Sequence, residues 1–179
     1  MESIVLGGGC FWCIEAIFRQ LDGVVDAVSG YAGGISPQPT DEQIYSGKTG
    51  HAEVVKVTFD PAIISQHDIL TIFFTLHNPT TLNQQGADRG TQYRSIILYV
   101  SEGQKAEAQR VMKEIADGGV WENPLVTELV PLEVFYPAED YHQRYFERFG
   151  NNAYCSIVIA PKVAKLRSLY FNKLKKEAT

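Results

Sequence analysis

Apolar residues recur along this chain with two alternating periods, one typical of strands and one of helices. Continuous or alternating apolar runs predict strands at 4–6, 24–29, 52–59, 95–100, 125–131 and 156–159. Helical spacing predicts helices at 10–21, 65–76, 102–116 and 137–149, and a basic helical segment from 163. Elements in this order predict an α/β fold, a two-layer sandwich with a split β-α-β (ferredoxin-like) core and helices on a mixed sheet.

Two polar stretches, 30–51 and 77–94, interrupt this alternation. Compact domains keep loops of this length mainly where the loops are functional, so we expect site residues there. The chain has no internal repeat and no linker-like segment, which predicts one domain over 1–179 with a basic tail from about 162.

Charge and composition exclude several classes of function. The formal net charge of −5 disfavours binding to nucleic acid or to an anionic membrane. Without an apolar run of membrane-spanning length or a leader-like start, we expect a cytoplasmic protein, and a monomer. Three cysteines are too few for a disulfide framework, so they are core residues or working thiols.

Cys10 is the first candidate for chemistry. Gly7, Gly8 and Gly9 lead from a short apolar strand into this cysteine at the start of an amphipathic helix. The unpaired N–H groups of a helix N-terminus favour a thiolate, which is the nucleophilic form. The glycines carry no side chains, which leaves room for a second molecule to approach the sulfur.

Phe11 and Trp12 lie off the apolar stripe of the predicted helix. Either another element covers them, or they line a small hydrophobic pocket beside the sulfur of Cys10. The pattern alone favours neither.

Cys10 and Cys13 have the C-x-x-C spacing, which occurs in redox disulfides and in metal sites. A structural zinc needs four ligands. Because the third cysteine is solitary and the four histidines are scattered, we expect no metal site. Cys13 lies near the apolar stripe, which favours a buried structural thiol.

Glu53 shares the apolar face of its predicted strand with Val55, Val57 and Phe59. It lies either at the exposed mouth of the strand or in the interior. A buried carboxyl without a cation stays protonated near neutrality and can donate a proton.

Three further residues lie in or beside the two polar stretches. Tyr31 and Tyr93 could add hydroxyl donors to the site of Cys10 and Glu53. Asp88, in Gly-Ala-Asp-Arg-Gly, is by itself a turn acid that we expect to be solvated.

Five blocks of this sequence resemble the A-type peptide methionine sulfoxide reductases, in the order of that family. They are Gly-Cys-Phe-Trp-Cys at 9–13, Gly-Tyr-Ala-Gly-Gly at 30–34, Tyr-Ser-Gly-Lys-Thr-Gly-His-Ala-Glu at 45–53, Gln-Gly-Ala-Asp-Arg-Gly-Thr-Gln-Tyr-Arg-Ser at 85–95 and Ala-Glu-Asp-Tyr-His-Gln-Arg-Tyr at 138–145. The resemblance covers nearly the whole chain, from the first strand to about Lys165. The resemblance implies a two-layer α/β sandwich with the reactive cysteine at a helix N-terminus.

The resemblance also implies a mechanism. Cys10 attacks the sulfur of methionine-S-sulfoxide, free or in proteins, and Glu53 protonates the departing oxygen with help from Tyr31 and Tyr93. Methionine leaves, and Cys10 remains as a sulfenic acid. A second thiol condenses with it to a disulfide, which thioredoxin, or dithiothreitol in its place, reduces. No metal or organic cofactor is implied.

Four more positions acquire roles through the resemblance. Phe11 and Trp12 would hold the S-methyl group of the substrate. Asp88 and Tyr145 would line the site and orient the substrate by hydrogen bonding.

The second thiol is either Cys13 or Cys155. At position 13 many members of the family have glycine, whereas Cys155, in Asn-Ala-Tyr-Cys, matches the position of a recycling cysteine. We favour Cys155 slightly, with Cys13 as a core residue. Two other functions stay open: a general thiol–disulfide oxidoreductase, and a non-catalytic module that binds peptides.

Overall fold

The computed structural model describes residues 1–176, so the last three residues of the predicted domain 1–179, and of its basic tail, lie outside the described residues. Its strands are β1 (Glu2–Gly7), β2 (Val24–Ala32), β3 (Ala52–Phe59), β4 (Gln84–Gln85), β5 (Asp88–Arg89), β6 (Ile96–Tyr99), β7 (Glu128–Pro131) and β8 (Phe135–Pro137). Its α-helices are α1 (Phe11–Arg19), α2 (Asp41–Tyr45), α3 (Gln66–Leu76), α4 (Glu102–Asp117), α5 (Tyr145–Phe149) and α6 (Ala160–Leu169).

Six strands form one mixed sheet in the order β7-β6-β1-β3-β2-β8. β6 and β7 run parallel, and the other neighbours are antiparallel. β2 and β3 pair in a register that sets Tyr31 opposite Glu53. The predicted α/β fold with helices on a mixed sheet is therefore confirmed.

Two hydrophobic clusters hold this sheet. The larger one joins apolar side chains of β1 and β3, such as Ile4 and Val57, to those of α1, α3, α4 and α6. The smaller one lies around Val5 and Val54 and is covered by Leu132 and Phe135. Successive side chains of a strand point to opposite faces, so the continuous apolar run Ile4, Val5 and Leu6 of β1 reflects burial on both faces of the sheet.

The regular elements agree with the predicted periods, and the differences are concentrated after residue 124. The strand predicted at 156–159 is wrong, because Cys155–Ile159 is a π-helical turn that leads into α6. Cys155 and Ile159, four residues apart, are its buried residues, which is helical spacing. A short apolar run does not distinguish a strand from a helix by periodicity alone.

Other boundaries also differ from the prediction. The helix predicted at 137–149 ends at Phe149 as expected, but its predicted start is wrong, since Pro137 ends β8 and α5 begins only at Tyr145. The strand expected from 125 begins at Glu128. α2 was not predicted, although Thr40 caps it with a reciprocal bond to Gln43.

None of the helices within residues 1–176 combines the length and the apolar content needed to cross a bilayer.

Candidate active site

The sequence predicts a helix that begins at Cys10. In the structure α1 begins one residue later, at Phe11, and Cys10 is its N-cap residue. The preceding glycines are packed rather than open: a Cβ on Gly8 would lie 2.6 Å from the ring of His77, and one on Gly9 would lie 2.6 Å from Gln85. Gly9 also has a φ of +89°. The glycines therefore allow the turn to pack against His77 and Gln85. The sequence predicted a different role for them, which was to leave room for a second molecule.

The thiol of Cys10 is only 8% exposed, and its surroundings oppose ionisation. Burial raises its pKa well above the ordinary value, and negative charge on Glu53 or Cys13 raises it further. The backbone N–H of Trp12 and the hydroxyl of Tyr154 lower the pKa but do not compensate. The helix N-terminus therefore acts in the predicted direction, through the N–H of Trp12, but burial of the thiol outweighs it in the protein by itself.

Glu53 lies in β3 and is buried, with 8% of its surface exposed. The backbone N–H of Phe11 donates to its Oε1 at 3.2 Å, which ties the carboxyl to the first residue of α1. Burial raises the pKa of Glu53 to about 8; the bond from Phe11 lowers it, and the charges of Asp41 and Asp88 raise it. Glu53 therefore lies in the interior and not at the exposed mouth of the strand, and its carboxyl is mostly protonated near neutrality.

The two predicted tyrosine donors differ in their surroundings. Tyr31 is fully buried, and its hydroxyl donates to Oε1 of Glu139 at 3.3 Å. Tyr93 lies in a 3-10 turn and is half-buried. Burial is the main cause that raises the pKa of both hydroxyls, so both stay protonated at neutral pH.

A cavity of about 220 Å³ opens beside the thiol. Its lining consists of Cys10, Phe11, Trp12, Asp41, Tyr45, Glu53, Asp88, Tyr93, His142 and Tyr154. Four predicted site residues are absent from that lining: Tyr31, Tyr145 and the two candidate resolving thiols, Cys13 and Cys155. Four lining residues were not predicted: Asp41, Tyr45, His142 and Tyr154. Their signal was present, because Tyr45 and His142 lie inside the family-like blocks and Tyr154 precedes Cys155.

Trp12 forms one wall of the cavity and is itself covered from behind. Its ring stacks on Tyr145, with centroids 3.5 Å apart and planes 3° from parallel. Its Nε1–H donates to Nδ1 of His142 at 3.1 Å, and the ring of Phe11 lies 4.9 Å from His142. Both alternatives for these aromatics therefore hold: another element covers Trp12, and both residues line the pocket.

Asp88 is half-buried rather than solvated, which corrects the turn-acid prediction. The hydroxyl of Tyr154 donates to its Oδ2 at 2.9 Å. This bond joins the 77–94 stretch to the segment that carries Cys155, and both residues face the cavity.

Asp41, Glu139 and His142 bring potential metal-ligand atoms within 4.8 Å of one another. The hydrogen bond from Trp12 argues against a metal here. Since Nδ1 of His142 accepts that bond, the neutral ring carries its proton on Nε2, the atom 3.2 Å from Oδ1 of Asp41. A ring nitrogen that holds a proton has no lone pair for an ion.

All three cysteines are free and buried. Burial is the main cause that raises the pKa of Cys13, and a charge on Cys155 raises it further. A charge on Cys13 likewise raises the pKa of Cys10. Cys155 is fully buried, and its backbone N–H donates to Oδ1 of Asn152 at 2.8 Å. A charge on Cys13 therefore affects the pKa of Cys10, and a charge on Cys155 affects that of Cys13.

Comparison with known proteins gives consistent results. Residues 2–175 match the family model described as peptide methionine sulfoxide reductase. A "Peptide methionine sulfoxide reductase MsrA" of Polynucleobacter asymbioticus is 50% identical over 170 residues, 95% of this chain and 90% of the relative.

Solved structures show the same similarity. Reduced Mxr1 of Saccharomyces cerevisiae aligns with a TM-score of 0.80 and 35% identity, over 86% of this chain and 88% of that one. The same yeast protein in complex with Trx2 aligns with a TM-score of 0.57 and 28% identity, over 80% and 84% of the two chains.

Proposed function

This chain belongs to the peptide methionine sulfoxide reductase family, and we propose on that premise that it reduces methionine-S-sulfoxide, free or in proteins, with Cys10 as the nucleophile. One observation carries the proposal: a buried carboxyl whose pKa is raised to about 8, at Glu53, faces the same small aromatic cavity as the thiol. A carboxylic acid that stays neutral at pH 7 is a proton donor ready for an oxygen that develops negative charge.

The chemical step starts from two protonated groups. Glu53 donates its proton to the sulfoxide oxygen while the sulfur of Cys10 bonds to the substrate sulfur. The thiol proton of Cys10 returns to the carboxylate of Glu53. The S–O bond of the substrate then breaks and the hydroxyl moves to the sulfur of Cys10 as the bond between the two sulfurs is cleaved, which gives methionine and a sulfenic acid. A protonated Glu53 also removes one of the negative charges that raise the pKa of Cys10.

The aromatic walls and the hydroxyls orient the substrate in this proposal. Phe11 and Trp12 hold the S-methyl group, since both line the cavity beside the thiol. Tyr93 donates to the sulfoxide oxygen directly. Tyr31 lies opposite Glu53 and supports its carboxyl from the neighbouring strand.

Two residues act on this site from further out. Tyr145 acts through the stack with Trp12. Asp88 orients the substrate together with the hydroxyl of Tyr154, which donates to it.

For the second thiol we propose Cys13 as the first partner of Cys10. It is three residues away from Cys10, and a charge on it raises the pKa of Cys10, whereas Cys155 is held by the π-helical turn and acts on the pKa of Cys13. The thiol of Cys13 attacks the sulfenic sulfur, a disulfide forms, and the hydroxyl leaves as water with the thiol proton. Cys155 then exchanges with Cys13 or stays a core residue.

Thioredoxin is the proposed reductant of the disulfide, since a relative forms a complex with Trx2. The thiols supply all the chemistry of this cycle without a metal or organic cofactor. Three free cysteines are typical of a reducing compartment, which supports a cytoplasmic location.

One hydrophobic cluster joins α1 to α6 and supports a single catalytic domain, here proposed as a monomer. The order β6-β1-β3-β2 with α1 and α3 as connections supports the split β-α-β description of its core.

Turnover of the two sulfoxide epimers tests the proposed function. We expect the protein, with dithiothreitol as reductant, to convert the S epimer of an acetylated methionine sulfoxide amide and to leave the R epimer. Cys10→Ser should abolish the reaction, and Cys155→Ser, the matched control at another buried cysteine, should still oxidise Cys10 in a single turnover. Equal rates for both epimers, or activity in Cys10→Ser, would disprove the assignment.

Mass spectrometry after one equivalent of substrate separates the two resolving thiols. In Cys155→Ser we expect a disulfide between Cys10 and Cys13, two mass units below the reduced chain. In Cys13→Ser we expect a persistent sulfenic acid that dimedone labels. The opposite pattern would assign the first resolving step to Cys155.

A further inference from the structure

Glu15 is a buried carboxylate on α1 that the proposed mechanism does not use. It is 1% exposed, and it is not among the residues that line the cavity. An ionised group in the interior is costly unless other groups compensate it, so its partners indicate what it does.

Those partners lie on a different segment of the chain. The backbone N–H of Arg144 donates to Oε1 of Glu15 at 3.1 Å, and the hydroxyl of Ser29 donates to the same oxygen at 3.4 Å. Oε2 lies 3.8 Å from Nε of Arg19, one turn further along α1. Burial raises the pKa of Glu15, while the bond from Arg144 and the charge of Arg19 lower it.

Arg144 needs such a partner because its backbone is left-handed, with φ 53° and ψ 37°. A non-glycine residue in this region is strained unless its surroundings hold it there. The preceding residue is fixed as well. Oε1 of Gln143 accepts the N–H of Ser29 at 3.0 Å, and its Nε2 donates to the carbonyl of Ser29 at 2.9 Å. Residues 143 and 144 are thus tied to β2 and to α1.

The residues on either side of this pair contact Trp12. His142 accepts the Nε1–H of Trp12, and Tyr145 stacks on its ring. Glu15 and Trp12 are three residues apart on α1, so one helix carries both the pocket wall and the anchor of the segment that supports it.

We propose that Glu15 is a positioning residue for substrate binding, because its carboxylate fixes Arg144 and thereby sets His142 and Tyr145 against Trp12. The inference rests on the proposed function for its link to the S-methyl pocket. Its structural part is independent, since Trp12 reports on the contact without turnover.

The first test measures single-turnover sulfoxide reduction and tryptophan emission. All variants carry Trp121→Phe, which leaves Trp12 as the only tryptophan. For Glu15→Ala we expect the half-saturating substrate concentration to rise about tenfold, in line with the loss of one charge-assisted hydrogen bond. The rate at saturating substrate should change less than about twofold, because the groups that touch the reacting atoms stay in place. Emission from Trp12 should shift to the red as its stack with Tyr145 loosens.

Two further variants separate positioning from a general loss of structure. Glu15→Gln keeps an oxygen for the N–H of Arg144 and should retain near-normal half-saturation. In the Glu15→Ala background, Arg144→Gly should restore part of the lost affinity, because glycine adopts a left-handed backbone without strain. Glu147→Gln changes an exposed carboxylate 4.0 Å from the Arg144 guanidinium and serves as the matched control, with no effect expected.

Three results would overturn the proposal: unchanged half-saturation in Glu15→Ala, a fall of the saturating rate in the same proportion as affinity, or unchanged Trp12 emission. If Glu15→Ala does not fold, the rescue by Arg144→Gly is measured in Glu15→Ser, with the same expected and contradicting results. If instead the proposed function is wrong, the parent protein reduces no sulfoxide, but the emission of Trp12 in Glu15→Ala still shifts to the red.

Discussion

Two buried ionisable side chains flank the glycine turn before Cys10, and they differ in what their proton can do. The ring of His77 lies against Gly8, and the main chain of Glu53 lies against Gly7. Burial lowers the pKa of His77 to about 3 and raises that of Glu53 to about 8, so both groups are mostly neutral at pH 7.

Their hydrogen bonds make the difference. Nδ1 of His77 lies 2.5 Å from the carbonyl of Phe73, which only accepts, so Nδ1 carries the proton; Nε2 lies 2.7 Å from the hydroxyl of Ser95. Glu53 accepts one backbone N–H from Phe11 and faces the cavity. The proton on Nδ1 of His77 is bonded to the carbonyl of Phe73, so it stabilises the fold. The proton of Glu53 faces the cavity, so it is available to a substrate.

The largest effect that this comparison predicts is on catalysis at Glu53. Glu53→Ala should slow single-turnover sulfoxide reduction by about a thousandfold, within the range that a positioned proton donor contributes. Glu53→Gln keeps a neutral side chain that donates a hydrogen bond but cannot transfer a proton, so it should lose nearly as much as Glu53→Ala. Rapid quench of the reduced protein with excess substrate measures both rates.

His77→Ala is the matched control for that experiment, since it removes the other neutral buried group. Its rate at saturating substrate should stay within a few-fold of the parent rate. A rate in Glu53→Gln close to that of the parent protein would contradict the proton transfer, because it would mean that residue 53 acts by hydrogen bonding alone.

The sequence predicts those parts of the site whose signal lies within a few neighbouring residues, and misses those that depend on contacts between distant segments. The glycine turn, Cys10 and the apolar parity of Glu53 are visible within a few residues, and they led to the two groups that we propose to react. The raised pKa of Cys10 was not predicted, because the helix N-terminus is a local feature whereas burial of the thiol depends on distant segments. The same limit applies to His142, which contacts Trp12 across 130 residues of sequence.

The fold follows the same rule. Long elements with one clear period, such as β3 and α4, were predicted nearly to the residue. The segment from 137 to 160 was not, because its structure depends on side-chain contacts with other parts of the chain. Gln143 bonds to the main chain of β2, and Asn152 accepts the N–H of Cys155. Periodicity carries no information about such bonds.

The second prediction concerns stability at His77. His77→Ala should lower the free energy of unfolding by about 3 kcal/mol, since it leaves a cavity against Gly8 and removes the partner of the Ser95 hydroxyl. Glu53→Gln should not lower it, because a neutral amide replaces a neutral acid. Urea unfolding at pH 7 in the presence of a reductant measures both. A larger loss in Glu53→Gln than in His77→Ala would reverse the assignment of structural and reactive roles.

The smallest effect is a pair of opposite pH dependences. Folding raises the pKa of Glu53 from 4.5 to about 8, so the folded state binds more protons than the unfolded state in that window, and stability falls as pH rises through it. Folding lowers the pKa of His77 from 6.5 to about 3, so stability is lost as pH falls through that window.

Glu53→Gln should therefore gain about 2 kcal/mol relative to the parent protein between pH 5.5 and pH 7. His77→Ala should lose its acid-side dependence instead, because the proton-binding ring is gone. Urea unfolding at a series of pH values gives both differences, and curves that run parallel to the parent curve would show that burial does not control these two protons.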